Sequence, residues 1–293
     1  MNRVGDVFVV GETGGNLDGE TNSAFLGVGF ISKYYADGGR AWTKLISSTA
    51  ASSADAVAVD DAGIAYVAGT TYASLENGDQ FVSQKAYVAT YNSSGAGDRV
   101  QHLGNTDVGS IFVNAISVSE KANVLAFVGC TWAMIEGATF EGDQQGSSAY
   151  VAKYSLGGSL SWVKQFGVAI ASDDEATGVA LDSAGNVFVA HSSPGTRCTS
   201  GAQPAGAVRA FKFNPDGTVA FANPFAARFD LDGGRTWVRQ FGSPQDNVSL
   251  ALAIDSLGAI ILGGTTKGAL DGLAPMGAED GFLMKLDSQG NRQ

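Results

Sequence analysis

One hairpin, written repeatedly with small changes, constrains this chain more than any other feature. It reads AVAVDDAGIAYVAGTT from Ala56 to Thr71, GVALDSAGNVFVAHSS from Gly178 to Ser193 and LAIDSLGAIILGGTT from Leu252 to Thr266. In a fourth copy, AISVSEKANVLAFVGCT from Ala115 to Thr131, Ser119 and Ala122 replace the Asp and Gly of the others, and GDVFVVGET near the N-terminus carries only the second half. Self-similarity of this kind marks an architecture in which each supersecondary unit buries its apolar face against its neighbours.

A second hairpin alternates with the first. It appears as GFISKYYADGGRAWTKLI (Gly29 to Ile46), AYVATYNSSGAGDRVQHLG (Ala86 to Gly104) and AYVAKYSLGGSLSWVKQFG (Ala149 to Gly167). It recurs at Val208 to Asn223 and Ala227 to Gly242, and as a last half at Gly281 to Asn291. The steps from Trp42 to Arg99, Trp162 and Trp237 are 57, 63 and 75 residues, the signature of four-stranded units separated by variable loops.

The recurrent Asp and Gly belong to turns. In DDAG, DSAG and DSLG the carboxylates of Asp60, Asp182 and Asp255 can hold an Asx turn while Gly takes the positive φ that closes a short hairpin. The same reading covers NPDG at Asn214 and DLDG at Asp230, which only superficially look like calcium loops. Side-chain size then orders the strands. Runs such as AVAVD and GVALD suit crowding around an axis, whereas Trp42, Trp162, Phe166, Trp237 and Phe241 need room at a rim.

The expected fold is all-β: a single β-propeller domain over residues 1–293, with four-stranded antiparallel blades numbering five or six. The blade pieces are 5–46, 55–104, 111–167, 176–223 and 248–291, with 226–242 as an extra hairpin. Calling the strands of a blade a to d from the axis outward, the chain starts at b and ends just after c, so incomplete end blades are expected.

VAVDxxGxxYVAG followed by AYVAKYxxxGxLxWVKQFG resembles the SBBP-type β-propeller repeat and, more distantly, NHL-like repeats. The resemblance covers nearly the whole chain and implies the strand order a (VAVD), b (YVAG), c (AYVAKY), d (WVKQFG). It also implies a secreted or cell-surface setting, without an assigned activity.

Composition narrows the function classes. Eighteen basic and 29 acidic side chains leave a net charge of −11, which repels nucleic acid and anionic membranes. Met1 to Gly11 lacks a signal-peptide apolar core, and no run of eighteen apolar residues exists for membrane insertion. Two cysteines, Cys130 and Cys198, make neither a disulfide framework nor a metal quartet. They read first as ordinary thiols, with a single disulfide as the alternative.

Tight turns on one face leave the long b-to-c loops on the other, where binding residues are expected on a rigid scaffold. Tyr72 and Trp132 follow strand b at equivalent places. Their rings suit sugar stacking, though packing over the loops' own small core is the first expectation. Asp173, Asp174 and Glu175 form an acidic triplet that suits Ca²⁺, but without a D-x-D-x-D-G run it reads first as a solvated loop, so no cofactor is assigned. Asn92 and Asn247 head N-x-[ST] sequons in expected turns or loops. His102 and His191 join no triad or metal-ligand spacing, and no catalytic motif is present.

The function expected from these residues is that of a non-enzymatic extracellular or surface-associated module. It would bind a protein or glycan partner, or act as a scaffold, through its loop face. The alternatives are a carbohydrate-active hydrolase or lyase with axial acidic residues, and a structural subunit whose incomplete end blades pair with neighbouring subunits.

Overall fold

A computed structural model describes residues 1–23, 26–46, 50–104, 109–141, 147–166, 174–192, 211–213, 219–222, 225–241, 247–255, 257–270, 273–274 and 276–293. Among the described residues the hairpins fold into six sheets, five of them set around one axis as the blades of a β-propeller. Blade 1 holds β1 (Val7–Thr13), β2 (Val28–Tyr34) and β3 (Arg40–Ile46). Blade 2 holds β4 (Ser52–Val59), β5 (Ala65–Ala73), β6 (Gln80–Tyr91) and β7 (Gly97–Leu103). Blade 3 runs β8 (Ile111–Ser119), β9 (Val124–Thr131), β10 (Thr139–Glu141), β11 (Ser148–Ser155) and β12 (Leu160–Phe166). Here β10, lent by the b-to-c loop, pairs in parallel outside β12.

Blade 4 contains β13 (Glu175–Leu181) and β14 (Val187–Ser192), followed in the chain by a separate hairpin of β15 (Phe211–Phe213) and β16 (Val219–Ala222). It is completed by β17 (Phe225–Phe229) and β18 (Arg235–Gln240), because β17 pairs along β14 from His191 opposite Phe225 to Val187 opposite Phe229. The sequence reading had these exchanged: the hairpin at 226–242 finishes the blade, and the one at 211–222 is the addition. Blade 5 consists of β19 (Asn247–Ile254), β20 (Ile260–Thr266) and β21 (Asp280–Leu286). NPDG at Asn214 falls outside the described residues.

Strand order follows side-chain size as expected. The a strands β4, β8, β13 and β19 touch one another from blade to blade. Each carries a β-bulge at the same place, at Asp55, Asn114, Thr177 and Leu250. Both hairpin types close with one turn. The Gly63 amide donates to the Asp60 carbonyl and the Gly95 amide to that of Asn92, with φ of 80° and 84° at the two glycines. In the degenerate copy, Ser119 does stand where Asp60 does, but its turn is one residue longer. Asn123, rather than Ala122, therefore takes the positive φ, at 56°.

The rim residues tie each blade to the next. The Trp42 indole lies against Gly95 in the outer turn of blade 2, and its N–H donates to the Ser93 carbonyl at 3.0 Å. Trp162 covers Gly233 and donates to Leu231 at 2.9 Å, and Trp237 covers Gly290 and donates to Ser288 at 3.1 Å. Where Arg99 replaces the indole, its guanidinium lies by Gly158 and donates to the Leu156 carbonyl at 2.7 Å. Lys153 reinforces the third junction: its ammonium donates to Gly185 at 2.8 Å and sits 5.8 Å from the Trp162 ring centroid. Burial lowers the pKa of this ammonium, while the nearby Asp182, Asp232 and Asp230 oppose the shift.

Trp162→Ala removes both the ring from Gly233 and the donor to Leu231, so it should cost about 2–4 kcal/mol in urea unfolding. Trp162→Arg, copying the Arg99 junction, should cost less than half of that. Equal losses for the two variants would contradict a junction built on a donor over a turn.

Candidate functional site

A threonine at or near the end of strand b in four blades folds the chain back over itself. The hydroxyls of Thr13, Thr71, Thr131 and Thr266 accept the amides of Gly15, Ala73, Ala133 and Gly268, two residues on. The residue in the middle of such a turn is pushed outward. In blades 2 and 3 that residue is Tyr72 or Trp132, whose amides donate to the carbonyls of Ala51 and Ser110. Each ring is 40% exposed.

The loop cores are built by other residues. Leu75 and Ile135 turn inward instead, with Ile135 buried beside Leu103 and Val163. The two aromatic rings are thus part-exposed at one position of successive blades, with Leu75 and Ile135 beneath them in the interior. An outer-strand side chain secures each loop from below. Gln165 accepts the Ile135 amide at 3.1 Å and donates to the Ala133 carbonyl at 2.9 Å. His102, at the same place in blade 2, accepts the Leu75 amide at 3.4 Å. Burial lowers its imidazole pKa, opposed by Glu76, which favours the neutral ring that can accept.

The acidic triplet does not lie in solvent. Asp174 and Glu175 are both buried, which corrects the solvated-loop reading; Asp173 lies outside the described residues. Glu175 accepts the Asn114 side-chain amide at 2.7 Å, and the same amide reaches the Ala176 carbonyl at 2.9 Å, joining blade 3 to blade 4 at the bulge. Asp174 Oδ1 lies 3.5 Å from His191 Nε2, and both side chains are 1% exposed. The pair closes the open end of the β13–β14 hairpin, where Glu175 stands opposite Ser192 and Ala176 opposite His191, and sequence reasoning missed it. Its signal was a double departure from the repeat. Blades 2 and 3 have Gly69 with Tyr87 and Gly129 with Tyr150, the Tyr hydroxyls donating to the carbonyls of Ser53 and Phe112, while blade 4 has His191 with Phe225.

Among the described residues, no group of three or more His, Cys, Asp or Glu side chains is placed to hold a metal ion. Asn92 is exposed in its turn, where its Oδ1 accepts the Ser94 and Ala96 amides. Asn247 begins β19 and is not in a loop. Cys130, buried at the end of β9, is disulfide-bonded, which corrects the thiol reading; the other cysteine, Cys198, lies outside the described residues.

On the opposite face, the a-to-b turns ring an axial cavity of about 810 Å³. Its carboxylates are engaged by the protein. Asp60 accepts the Ile64 amide and the Tyr66 hydroxyl, and Asp182 accepts the Ala184 and Asn186 amides. Asp255 accepts the Leu257 and Ala259 amides and meets the Lys285 ammonium at 3.1 Å, and these contacts hold its carboxyl below the ordinary range. Asp61 pairs with Arg3, and Glu120 accepts the Asp61 amide. The Asp residues of the turns thus do what the sequence reading assigned to them.

Sheets arranged this way define a β-propeller. Residues 161–193, from the outer strand of blade 3 through the first hairpin of blade 4, match the SBBP beta-propeller repeat. Similar solved structures include a Bacteroides caccae protein of unknown function, at 10% identity and TM-score 0.35, with 97% of this chain and 91% of that one covered. The β-propeller domain of the Trilobed protease from Pyrococcus furiosus, which has an open velcro topology, gives 10% identity and TM-score 0.37, covering 81% and 54% of the two chains. A Synechocystis apocarotenoid oxygenase gives 10% and 0.42, covering 91% and 57%. In the last two comparisons the chain spans little more than half of the other protein. No curated protein matches in sequence.

Titration of thiols in the unfolded, unreduced protein should find none, and reduction should lower stability by about 2–4 kcal/mol. Two titratable thiols would contradict the bonded state of Cys130.

Proposed function

We propose that this propeller is a non-enzymatic binding module that works outside the cell or on its surface, and that its loop face recognises glycans. Tyr72 and Trp132 carry the recognition. The observation behind this is the repeated threonine turn, which holds a half-exposed aromatic ring at the same position in two successive blades. A planar ring displayed this way offers an apolar face for a sugar ring at little ordering cost, since the turn is already fixed by its own hydrogen bonds.

Two further features support the setting. A bonded cysteine fits an oxidising compartment. A net charge of −11 disfavours anionic partners and leaves neutral or cationic ones.

On a glycan array, the intact chain should bind a defined subset of neutral glycans. Tyr72→Ala combined with Trp132→Ala should weaken that binding at least about ten-fold, each ring contributing of order 1 kcal/mol, while urea stability changes by less than about 1 kcal/mol. An array without a hit, or a double variant that binds as the parent does, would contradict the glycan reading.

A further inference from the structure

His102 and Gln165 hold the same place in blades 2 and 3, beneath the two loops that display Tyr72 and Trp132, but they support those loops with different chemistry. Gln165 makes two bonds, accepting the Ile135 amide at 3.1 Å and donating to the Ala133 carbonyl at 2.9 Å, and an amide side chain keeps both at any ordinary pH. His102 makes one: its Nε2 accepts the Leu75 amide at 3.4 Å. An imidazole can accept there only while it is neutral, with its proton on Nδ1. Once protonated it carries N–H on both nitrogens and sets a donor against a donor.

The groups around the ring define what protonation would meet. Phe81 lies against the imidazole edge-on, with ring centroids 5.6 Å apart at 76°. Tyr87 stands opposite His102 on β6, and its hydroxyl donates to the Ser53 carbonyl at 2.7 Å. Burial pushes this phenol well above its ordinary pKa, so it stays neutral. Glu76, on the loop that His102 supports, favours the protonated ring, and burial outweighs it. Among the other charged groups described here, Asp79 of the same loop accepts the Asn77 side-chain amide at 2.8 Å, and Lys85, two residues before Tyr87 on β6, donates to the Ser83 hydroxyl at 3.3 Å. From blade 1, Lys44 lies on the face of β3 that carries Trp42 and Ile46 toward blade 2, and it is paired with Glu20 at 2.6 Å.

We propose that His102 is a pH-sensitive positioning residue for Tyr72: protonation in mild acid releases the blade 2 loop and weakens glycan binding through Tyr72, while the Trp132 half of the face is unchanged. The consequence for binding rests on the glycan reading above; the release of the loop does not. The path from ring to platform is short. Leu75, whose amide loses its acceptor, is the residue that takes the interior below Tyr72. It follows closely on the turn that sets the Tyr72 ring, where the Thr71 hydroxyl bonds both the amide and the carbonyl of Ala73. Because the fold holds the imidazole below its ordinary pKa of 6.5, the unfolded chain takes up the proton first as the pH falls. The stability given by this contact is therefore whole above that value and is lost as the pH falls through the lower folded one.

The test follows amide hydrogen exchange and the His102 imidazole by nuclear magnetic resonance on the full chain, from about pH 8 to about pH 4.5. The protection factor at Leu75 should fall at least about ten-fold as the imidazole titrates, while that at Ile135, the control within the same molecule, holds constant. In His102→Gln, which copies the support of blade 3, Leu75 should keep its protection across the range. On an array of neutral glycans the parent's binding should drop about three-fold or more in acid, and that of His102→Gln should not. Equal losses at Leu75 and Ile135, a Leu75 amide indifferent to the titration of His102, an acid response retained by His102→Gln, or parent binding undiminished in acid would each overturn the proposal. An array empty at every pH would remove the glycan reading alone, because the protection factors are read without a glycan and still decide whether His102 releases the loop.

Discussion

An indole N–H given to the carbonyl of a neighbouring turn is the contact on which the assembly of this molecule depends. Within a blade, antiparallel ladders satisfy the backbone and need no neighbour. Between blades there is no ladder: isolated backbone bonds cross, from the Ser52 amide to Gly27 and from the Asp174 amide to Ser147, and side chains supply most of what holds one sheet to the next. Small residues on the a strands let the sheets converge, and the rim must then hold them at a fixed spread. Trp42, Trp162 and Trp237 do this at three junctions by combining apolar cover of a turn glycine with one directed hydrogen bond. Arg99 does the same at the fourth with a guanidinium. The turn glycine has two reasons to be glycine: its positive φ, and the ring that occupies the place of its Cβ.

Much of this was legible in the sequence because it is periodic. Hairpin spacing, turn chemistry and the gradient from Ala and Val to Trp all repeat, and repetition lets weak local signals reinforce one another. What repetition could not decide was which of two similar hairpins joins β14, since the stretches at 211–222 and 226–242 carry the same turn pattern. Pairing settles that point through contacts distant in sequence. The turn at Asn123 was misplaced by one residue because Asn, like Gly, tolerates positive φ.

The candidate site was legible only where it follows the repeat. Tyr72 and Trp132 stand out by position, but their exposure depends on the threonine turn and on Leu75 and Ile135 taking the interior. The buried pair of Asp174 and His191 breaks the repeat, and sequence spacing alone gave no reason to join them. Burial of Asp174 and Glu175 likewise depends on blade 3, whose Asn114 reaches across to Glu175. Residues whose role comes from the next blade stay invisible until the blades are placed.

The most direct test of the junction follows the exchange of indole N–H protons by nuclear magnetic resonance. The chain has four tryptophans. Those of Trp42, Trp162 and Trp237 should exchange slowly with solvent and shift little with temperature, while that of Trp132, on the loop face, should exchange freely. Four indoles exchanging at the same rate would contradict the account.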